Sequence, residues 1–415
     1  MKVLVVGGGG REHAICLALS KSPRISKLYC APGNGGIAET AECVNIAAKD
    51  IQNMVGFAKE NVDFVVVAPD DPLAAGMVDE LEAAGLRAFG PRRDAAKLES
   101  SKVYAKGIMK KYGIPTADYK IFTEANEAIA YIKEKGAPLV VKADGLALGK
   151  GVTVALDMES AIAAVNEIML DKKFGTSGNR IIIEEYMTGP EITLLVFTDG
   201  EAVVPMLSSQ DHKRAFTGNL GPNTGGMGAF CPSPIFTDEL AEVCMRTIVR
   251  PTIEAMKTEG CPFKGVLYFG LMLTPVGLRV VEYNARFGDP ETQPILSMLK
   301  TDLLDIFEAV VDERLHEQVV EWRDGYACCV VMASGGYPEQ YETGYEIDGL
   351  GEIPDDIAIF HAGTTRKGNK FITSGGRVLG ITATGDTLQQ AATRAYTGVD
   401  CIRFTNAQYR TDIGR

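Results

Sequence analysis

The feature that most restricts the fold is the alternation in the first quarter of the chain. Residues 3–6 form an apolar run that ends in Gly7-Gly8-Gly9-Gly10, and residues 11–21 then read as a helix with Ile15 and Leu19 inward. Strand-like runs recur at 27–30, 43–46 and 64–68, separated by helical stretches around 50–60 and 73–84. Apolar strands alternating with helices imply a parallel sheet wound with helices, because parallel neighbours need a crossover connection. Such sheets take ligands at their strand ends, which here are Gly7 to Gly10 and Ala68-Pro69-Asp70-Asp71.

From about Lys97 the texture changes, and with 415 residues the chain is too long for one ordinary core, so about three units are expected. A helix opening at Lys102 closes at Gly113-Ile114-Pro115, and strands are expected at 139–142, 151–155, 181–186 and 193–198. A Gly-rich stretch over 217–230 precedes a helix over 237–258. A hairpin follows, 265–274 with 278–284, turned by Pro275-Val276-Gly277. After about Trp322 the chain is strand-rich, at 327–333, 358–362, 370–373 and 378–383, with a closing helix near 387–397, and is expected to pack as a third unit on the second.

Hydrophobic content of 46% with 23% charged residues describes a globular protein, and no apolar run approaches a membrane span. Met1-Lys2 leads into the first strand without a signal-peptide layout, so a cytoplasmic location is expected. A net charge of −12 argues against nucleic acid as a partner. The nine cysteines are scattered without a C-x-x-C pair and read as buried free thiols.

Between Val280 and Phe287 polar and apolar residues alternate, with Val281, Tyr283, Ala285 and Phe287 on one side and Glu282, Asn284 and Arg286 on the other. A carboxylate and an amide oxygen on one face are hard ligands suited to Mg²⁺, and a guanidinium suits the phosphate or carboxylate that accompanies it. A solvated strand face with an incidental ion pair is the alternative. Asp289 and Glu291 follow directly in Gly288-Asp289-Pro290-Glu291-Thr292-Gln293, adding two carboxylates in a turn.

Two glycine loops invite a phosphate reading, and both fail the familiar fingerprints. A dinucleotide motif starting at Gly7 or Gly8 needs a glycine at 12 or 13, where the chain has Glu12 and His13. Asp144-Gly145-Leu146-Ala147-Leu148-Gly149-Lys150-Gly151 lacks the first glycine of a P-loop and the Ser or Thr after its lysine. What remains is a glycine loop after a strand, with Lys142 and Lys150 at its ends and Lys102 upstream, enough positive charge for a triphosphate. The strand at 181–183 runs into Glu184-Glu185-Tyr186-Met187, a segment able to present backbone and carboxylates to an adenine and its ribose.

In that order, Lys102, residues 141–152, Glu184-Glu185-Tyr186 and residues 282–293 resemble the ATP-grasp ligases, and within them the phosphoribosylamine-glycine ligases of de novo purine synthesis. The resemblance spans the chain, from Gly7 to Ala14 and Ala31-Pro32-Gly33-Asn34 through residues 209–214 and 221–228 to Tyr409-Arg410-Thr411-Asp412-Ile413-Gly414. It implies an α/β protein with an N-terminal parallel-sheet, Rossmann-like pre-ATP-grasp domain at 1–98 binding substrate. A central ATP-grasp domain at 99–315, with a mobile lid subdomain within 117–190, and a C-terminal β-rich domain at 322–415 would follow.

The resemblance also implies roles. Lys102, Lys142 and Lys150 with Gly145, Gly149 and Gly151 would hold ATP, Glu184, Glu185 and Glu191 would frame adenine and ribose, and Glu282 and Asn284 would ligate Mg²⁺ or Mn²⁺. The expected substrates are glycine, 5-phosphoribosylamine and ATP, in a monomer or weak homodimer. The phosphate of 5-phosphoribosylamine suits Gly8, Gly9, Gly10 and Arg11 at a helix N-terminus. Asp211, Arg286 and Asp289 are the candidates for orienting glycine or the amine. Two departures stand out: Ala68-Pro69-Asp70 where the family commonly has Gly-Pro-Glu, and no acidic residue in Gly270-Leu271-Met272, where many ATP-grasp enzymes carry a metal ligand. An ATP-grasp ligase or carboxylase with another acceptor is the nearest competing reading.

Overall fold

The computed structural model describes residues 1–146 and 151–415. Its first unit is the expected parallel sheet, with strand order Glu42–Cys43, Lys27–Pro32, Lys2–Gly7, Phe64–Val67, Arg87–Phe89. Val3 to Val6 are fully buried because helices cover both faces. The helix expected over 73–84 is two, Asp70–Ala75 and Met77–Ala83. Gly76 breaks it at φ 88°, and a Cβ there would meet the Arg93 guanidinium at 2.3 Å.

The middle of the chain builds two antiparallel sheets. One, with Val203–Pro205, Glu191–Thr198, Gly265–Thr274 and Gly277–Asn284 in that order, joins the main core. The other, ordered Tyr119–Phe122, Ile181–Glu185, Leu139–Ala143, Val152–Ala155, has a core of its own around Phe122, Val141 and Ile183. The Gly-rich stretch after Thr217 is less loop-like than its composition suggests. It is built into a ribbon, Arg214–Phe216 with Leu220–Asn223, and then into the strand Gly228–Cys231.

The third unit is not merely packed on the second. Its sheet runs Gln210–Asp211, Gly228–Cys231, Tyr326–Ser334, Arg377–Gly385, Ala358–His361, so two central strands continue into it. Asp211 therefore lies on a strand shared by both units. The thiols are all free and mostly buried, with Cys43 the exposed exception. Among the described residues no helix is long and apolar enough to cross a membrane.

The first and third units meet at a pair of buried histidines. His13 Nδ1 accepts the His361 amide at 2.7 Å, while the Asn34 side chain donates to the carbonyls of Gly8 at 3.0 Å and His361 at 2.7 Å. Burial pushes His13 down to about 4 and His361 to about 3. Below the unfolded value of about 6.5 the unfolded chain takes up protons that the native rings refuse. Stability from these rings is therefore fully present above that value and is lost as pH falls toward about 4, at about 1.4 kcal/mol per unit per ring. His13→Asn keeps an acceptor near the His361 amide and removes one titrating ring. Urea unfolding at about pH 7.5 and about pH 5 should show a smaller acid loss for this variant than for the parent; an equal loss would count against the account.

Candidate active site

A cleft of about 1060 Å³ lies where the three units converge. Its floor is the strand Gly277–Asn284, which does not alternate as simply as its sequence. Gly270 pairs with Glu282 but Leu271 with Val280, so Val281 is the extra residue of a bulge. Val280 takes the core position at 0% exposure, and Val281 lines the cleft instead of the apolar layer. Beyond the bulge Tyr283, Ala285 and Phe287 are buried, while Glu282, Asn284 and Arg286 all face the cleft.

The bulge also orients a lysine. Lys142, on the strand Leu139–Ala143, donates to the Val281 carbonyl at 3.2 Å and lies 2.9 Å from Glu184 Oε2. Lys106 approaches Glu184 Oε1 at 3.3 Å, and all three residues are under 5% exposed. Burial pushes Lys106 down to about 8, against the pull of Glu184. Glu184 is thus an anchor between two buried lysines as well as a cleft residue. Glu185 points outward to Arg279 at 2.9 Å, and Glu191 is held by Lys213 at 3.0 Å.

At the root of the glycine loop, Asp144 explains why the first P-loop glycine is missing. Its Oδ1 accepts from the Val103 amide at 2.8 Å and from Ser101 at 3.0 Å, and its Oδ2 pairs with Arg180 at 2.5 Å, so it ties the loop to the start of the helix Lys102–Lys111. Lys102 donates to the Gly145 carbonyl at 3.1 Å, and burial lowers its pKa. Gly145 itself packs so that a Cβ would come 2.3 Å from Ser177 Oγ. Gly151 lines the cleft; Gly149 and Lys150 lie outside the described residues.

Burial alone would raise the Glu282 carboxyl, yet Lys213, Lys142 and Lys102 hold it below its usual value. Lys213 lies 3.6 Å away. Asn284 Oδ1 accepts from Arg286 at 3.3 Å. An ionised carboxylate and an amide oxygen two residues apart suit a hard divalent cation that keeps water and phosphate oxygens as its other ligands. Among the described residues there is no cluster of three or more His, Cys, Asp or Glu that would make a self-sufficient cage. Opposite Glu282, Gly270 leaves little room for an added acid, since a Cβ there would lie 3.2 Å from Glu282 Cγ.

Arg286 pairs with buried Glu99 at 2.9 Å and donates to the Phe287 carbonyl at 3.1 Å, while its Nε is buried with no hydrogen-bond partner among the described residues. Burial opposes its charge, but Glu99 and Asp70 outweigh that and raise its pKa. Asp211 is raised by burial and then by Glu291, and Glu291 is raised by burial. Asp289 is held by Arg377 at 3.0 Å and by the Gln293 amide at 2.8 Å.

The structure thus gathers Arg11, Lys102, Lys142, Gly151, Glu184, Glu185, Glu191, Asp211, Glu282, Asn284, Arg286 and Asp289 on one cleft. Gly8, Gly9 and Gly10 are not among its lining residues. The Gly9 amide is already engaged by Glu12 Oε2 at 2.6 Å, and Gly8 packs with its would-be Cβ 2.5 Å from the Gly33 carbonyl oxygen. Arg11 enters the cleft beside them, pairing with Glu12 at 2.6 Å and donating to the Phe287 carbonyl at 3.1 Å. Sequence reasoning passed over Lys106, Lys213, Glu99, Glu291 and Arg377 as site residues. Lys213 and Glu291 stand inside motifs already singled out, whereas nothing near Lys106, Glu99 or Arg377 marks them.

Comparison with known proteins agrees with this architecture. The phosphoribosylglycinamide synthetase N domain matches residues 1–99, its ATP-grasp (A) domain residues 100–292 and its C domain residues 327–415. The phosphoribosylamine-glycine ligase of Halalkalibacterium halodurans is 47% identical, with 100% of this chain and 96% of that protein covered. The crystal structure of the phosphoribosylamine-glycine ligase from Thermotoga maritima superposes with a TM-score of 0.85 at 33% identity, over 99% of this chain and 100% of that one. The biotin carboxylase domain of Hydrogenobacter thermophilus 2-oxoglutarate carboxylase, solved with MgADP and bicarbonate, shares the fold alone: TM-score 0.76, 16% identity, 98% of this chain and 91% of that one. Matched from end to end, the chain belongs to the phosphoribosylglycinamide synthetase family, the phosphoribosylamine-glycine ligases, as its motifs led one to expect.

Proposed function

We propose that the cleft joins glycine to 5-phosphoribosylamine at the expense of ATP, giving glycinamide ribonucleotide, ADP and phosphate, a step of purine biosynthesis. The observation that carries this reading is the meeting of Lys142 and Glu184 from one sheet with Glu282 and Asn284 from another and with Arg286 just past its last strand, in a chain matched over its full length to these ligases. A carboxylate resists attack by an amine. Its oxygen would therefore attack the γ-phosphorus of ATP, breaking the bond to the β-phosphate oxygen and releasing ADP. The amine of 5-phosphoribosylamine then attacks the acyl carbon of the glycyl phosphate, phosphate leaves with the bonding pair, and the nitrogen loses a proton.

No protein nucleophile is needed, and rate comes from placement and charge. Lys102 and Lys142 are assigned to the ATP phosphates, with Gly145, Gly149, Lys150 and Gly151 covering them. Glu184, Glu185 and Glu191 frame the nucleoside, and Lys106, behind Glu184, pairs with that carboxylate at 3.3 Å. Arg286 is assigned to the moving phosphoryl group, as a guanidinium that lines the cleft beside Glu282 and Asn284. Asp211 and Asp289 are assigned to the amino groups. Arg11 is assigned to the 5-phosphate, with Gly8, Gly9 and Gly10 shaping the loop that carries it. Glu282 and Asn284 would hold Mg²⁺ or Mn²⁺, which when bound neutralises phosphate charge; support comes from their donor chemistry and from the MgADP of the Hydrogenobacter domain.

ADP release measured with glycine and freshly generated 5-phosphoribosylamine tests the assignment, together with mass detection of the amide. Both signals should require both substrates. Release without glycine, or with bicarbonate in its place, overturns it in favour of another acceptor.

A further inference from the structure

Arg377 opens the strand Arg377–Gly385 of the third unit, yet its guanidinium reaches the cleft. Its Nη1 donates to the carbonyls of Asp289 at 2.7 Å, Gly225 at 2.8 Å and Gly226 at 3.4 Å, and its Nη2 to Asp289 Oδ2 at 3.0 Å. These acceptors belong to two different loops. The loops are already pressed together: Gly226, at φ 113°, lies where a Cβ would come 2.3 Å from Pro290 Cδ and 2.6 Å from Asp211 Oδ1. The other oxygen of Asp289 accepts the Gln293 amide at 2.8 Å, and that same nitrogen lies 2.7 Å from where a Cβ on Gly10 would be. One guanidinium thus joins elements of the second and third units, one side chain away from the first.

A carboxylate gripped on one oxygen by a guanidinium and on the other by an amide is fixed in orientation. Each oxygen still has a lone pair to offer. Asp289 is 19% exposed and lines the cleft, so the unused acceptors are available to a ligand. The planar fork of arginine presents donors on two nitrogens in fixed directions, whereas a lysine ammonium is a compact charge with rotatable donors on a flexible stem.

Building on the ligase reading, we propose that Arg377 is a positioning residue of the reaction, fixing the Asp289 carboxylate and the Gly225-Gly226 backbone so that Asp289 receives the amino group of a substrate. The third unit is then part of the catalytic apparatus rather than a structural appendage. Lys142 and Glu184, the groups assigned to ATP, pair with each other and not with Arg377, which pairs with Asp289, so loss of Arg377 acts on turnover and not on nucleotide affinity.

Arg377→Ala should lower kcat about 10²-fold, the cost of a misplaced group, while KM for ATP stays within about twofold. Millimolar guanidinium should restore part of the lost turnover, and Arg377→Lys should not. Turnover within about threefold of the parent, a KM for ATP that rises as kcat falls, or no response to guanidinium in a variant that melts like the parent overturns the proposal. If Arg377→Ala does not fold, Asp289→Asn decides: it leaves Arg377 its three carbonyl acceptors and should show the same selective fall in kcat, and unchanged turnover overturns the proposal. Failure of the parent enzyme to release ADP on addition of both substrates would instead overturn the ligase reading, which keeps the two outcomes distinct.

Discussion

Arg286→Met is expected to lower kcat by about 10²- to 10³-fold, the range for removing one donor aimed at transition-state charge, and to destabilise the fold at the same time. The second effect comes from Glu99. That carboxylate is buried, its pKa is already raised by burial, and Arg286 is its charged partner at 2.9 Å. Removing one member of a buried pair leaves the other uncompensated, at about 3–5 kcal/mol. Adding Glu99→Gln removes the stranded charge while keeping an oxygen for the Ala285 amide, which now donates to Glu99 Oε2 at 2.8 Å. The double variant should therefore regain most of the lost stability in urea unfolding but none of the turnover. If turnover returns with stability, Arg286 supports the fold and not the phosphoryl group.

Glu282→Gln separates charge from shape at the strand that floors the cleft. Folding should be unaffected, because Lys213 keeps its closer partner Glu191 at 3.0 Å. Gln preserves the volume beside Gly270 but loses the ionised oxygen that three lysines stabilise. Direct titration with Mn²⁺ should show affinity lowered by at least about 10- to 100-fold, since even partners one step removed from a metal are worth that much. The metal concentration needed for half-maximal ADP release should rise in parallel. Unchanged metal affinity would exclude Glu282 as a ligand. Unchanged affinity with lost turnover would point to its pairing with Lys213 as the feature that matters.

Local pattern carried much of this site. The polar face of Glu282, Asn284 and Arg286 was legible because strand side chains repeat every two residues, and Lys102, Lys142 and Glu184 because each sits at the end of a recognisable element. The bulge at Val281 was not legible. It arises from the pairing of Gly270 with Glu282 and Leu271 with Val280, a choice made by the partner strand. The engagement of the Gly9 amide by Glu12 was readable in principle, as a carboxylate three residues into a helix reaching back to its start. The phosphate reading of that loop overlooked the protein's own anion.

The chain's own order of residues determined the elements, the parallel winding of the first unit and the residue types that converge on ATP chemistry, because periodicity, turn-formers and motif spacing act over a few positions. Tertiary structure alone decided which buried charges share a partner. Lys106 with Glu184, Glu99 with Arg286, and Arg377 with Asp289 each join residues 78 or more positions apart. Nothing local marks such pairs, since the energy of a buried charge depends on what packing brings within about 4 Å of it.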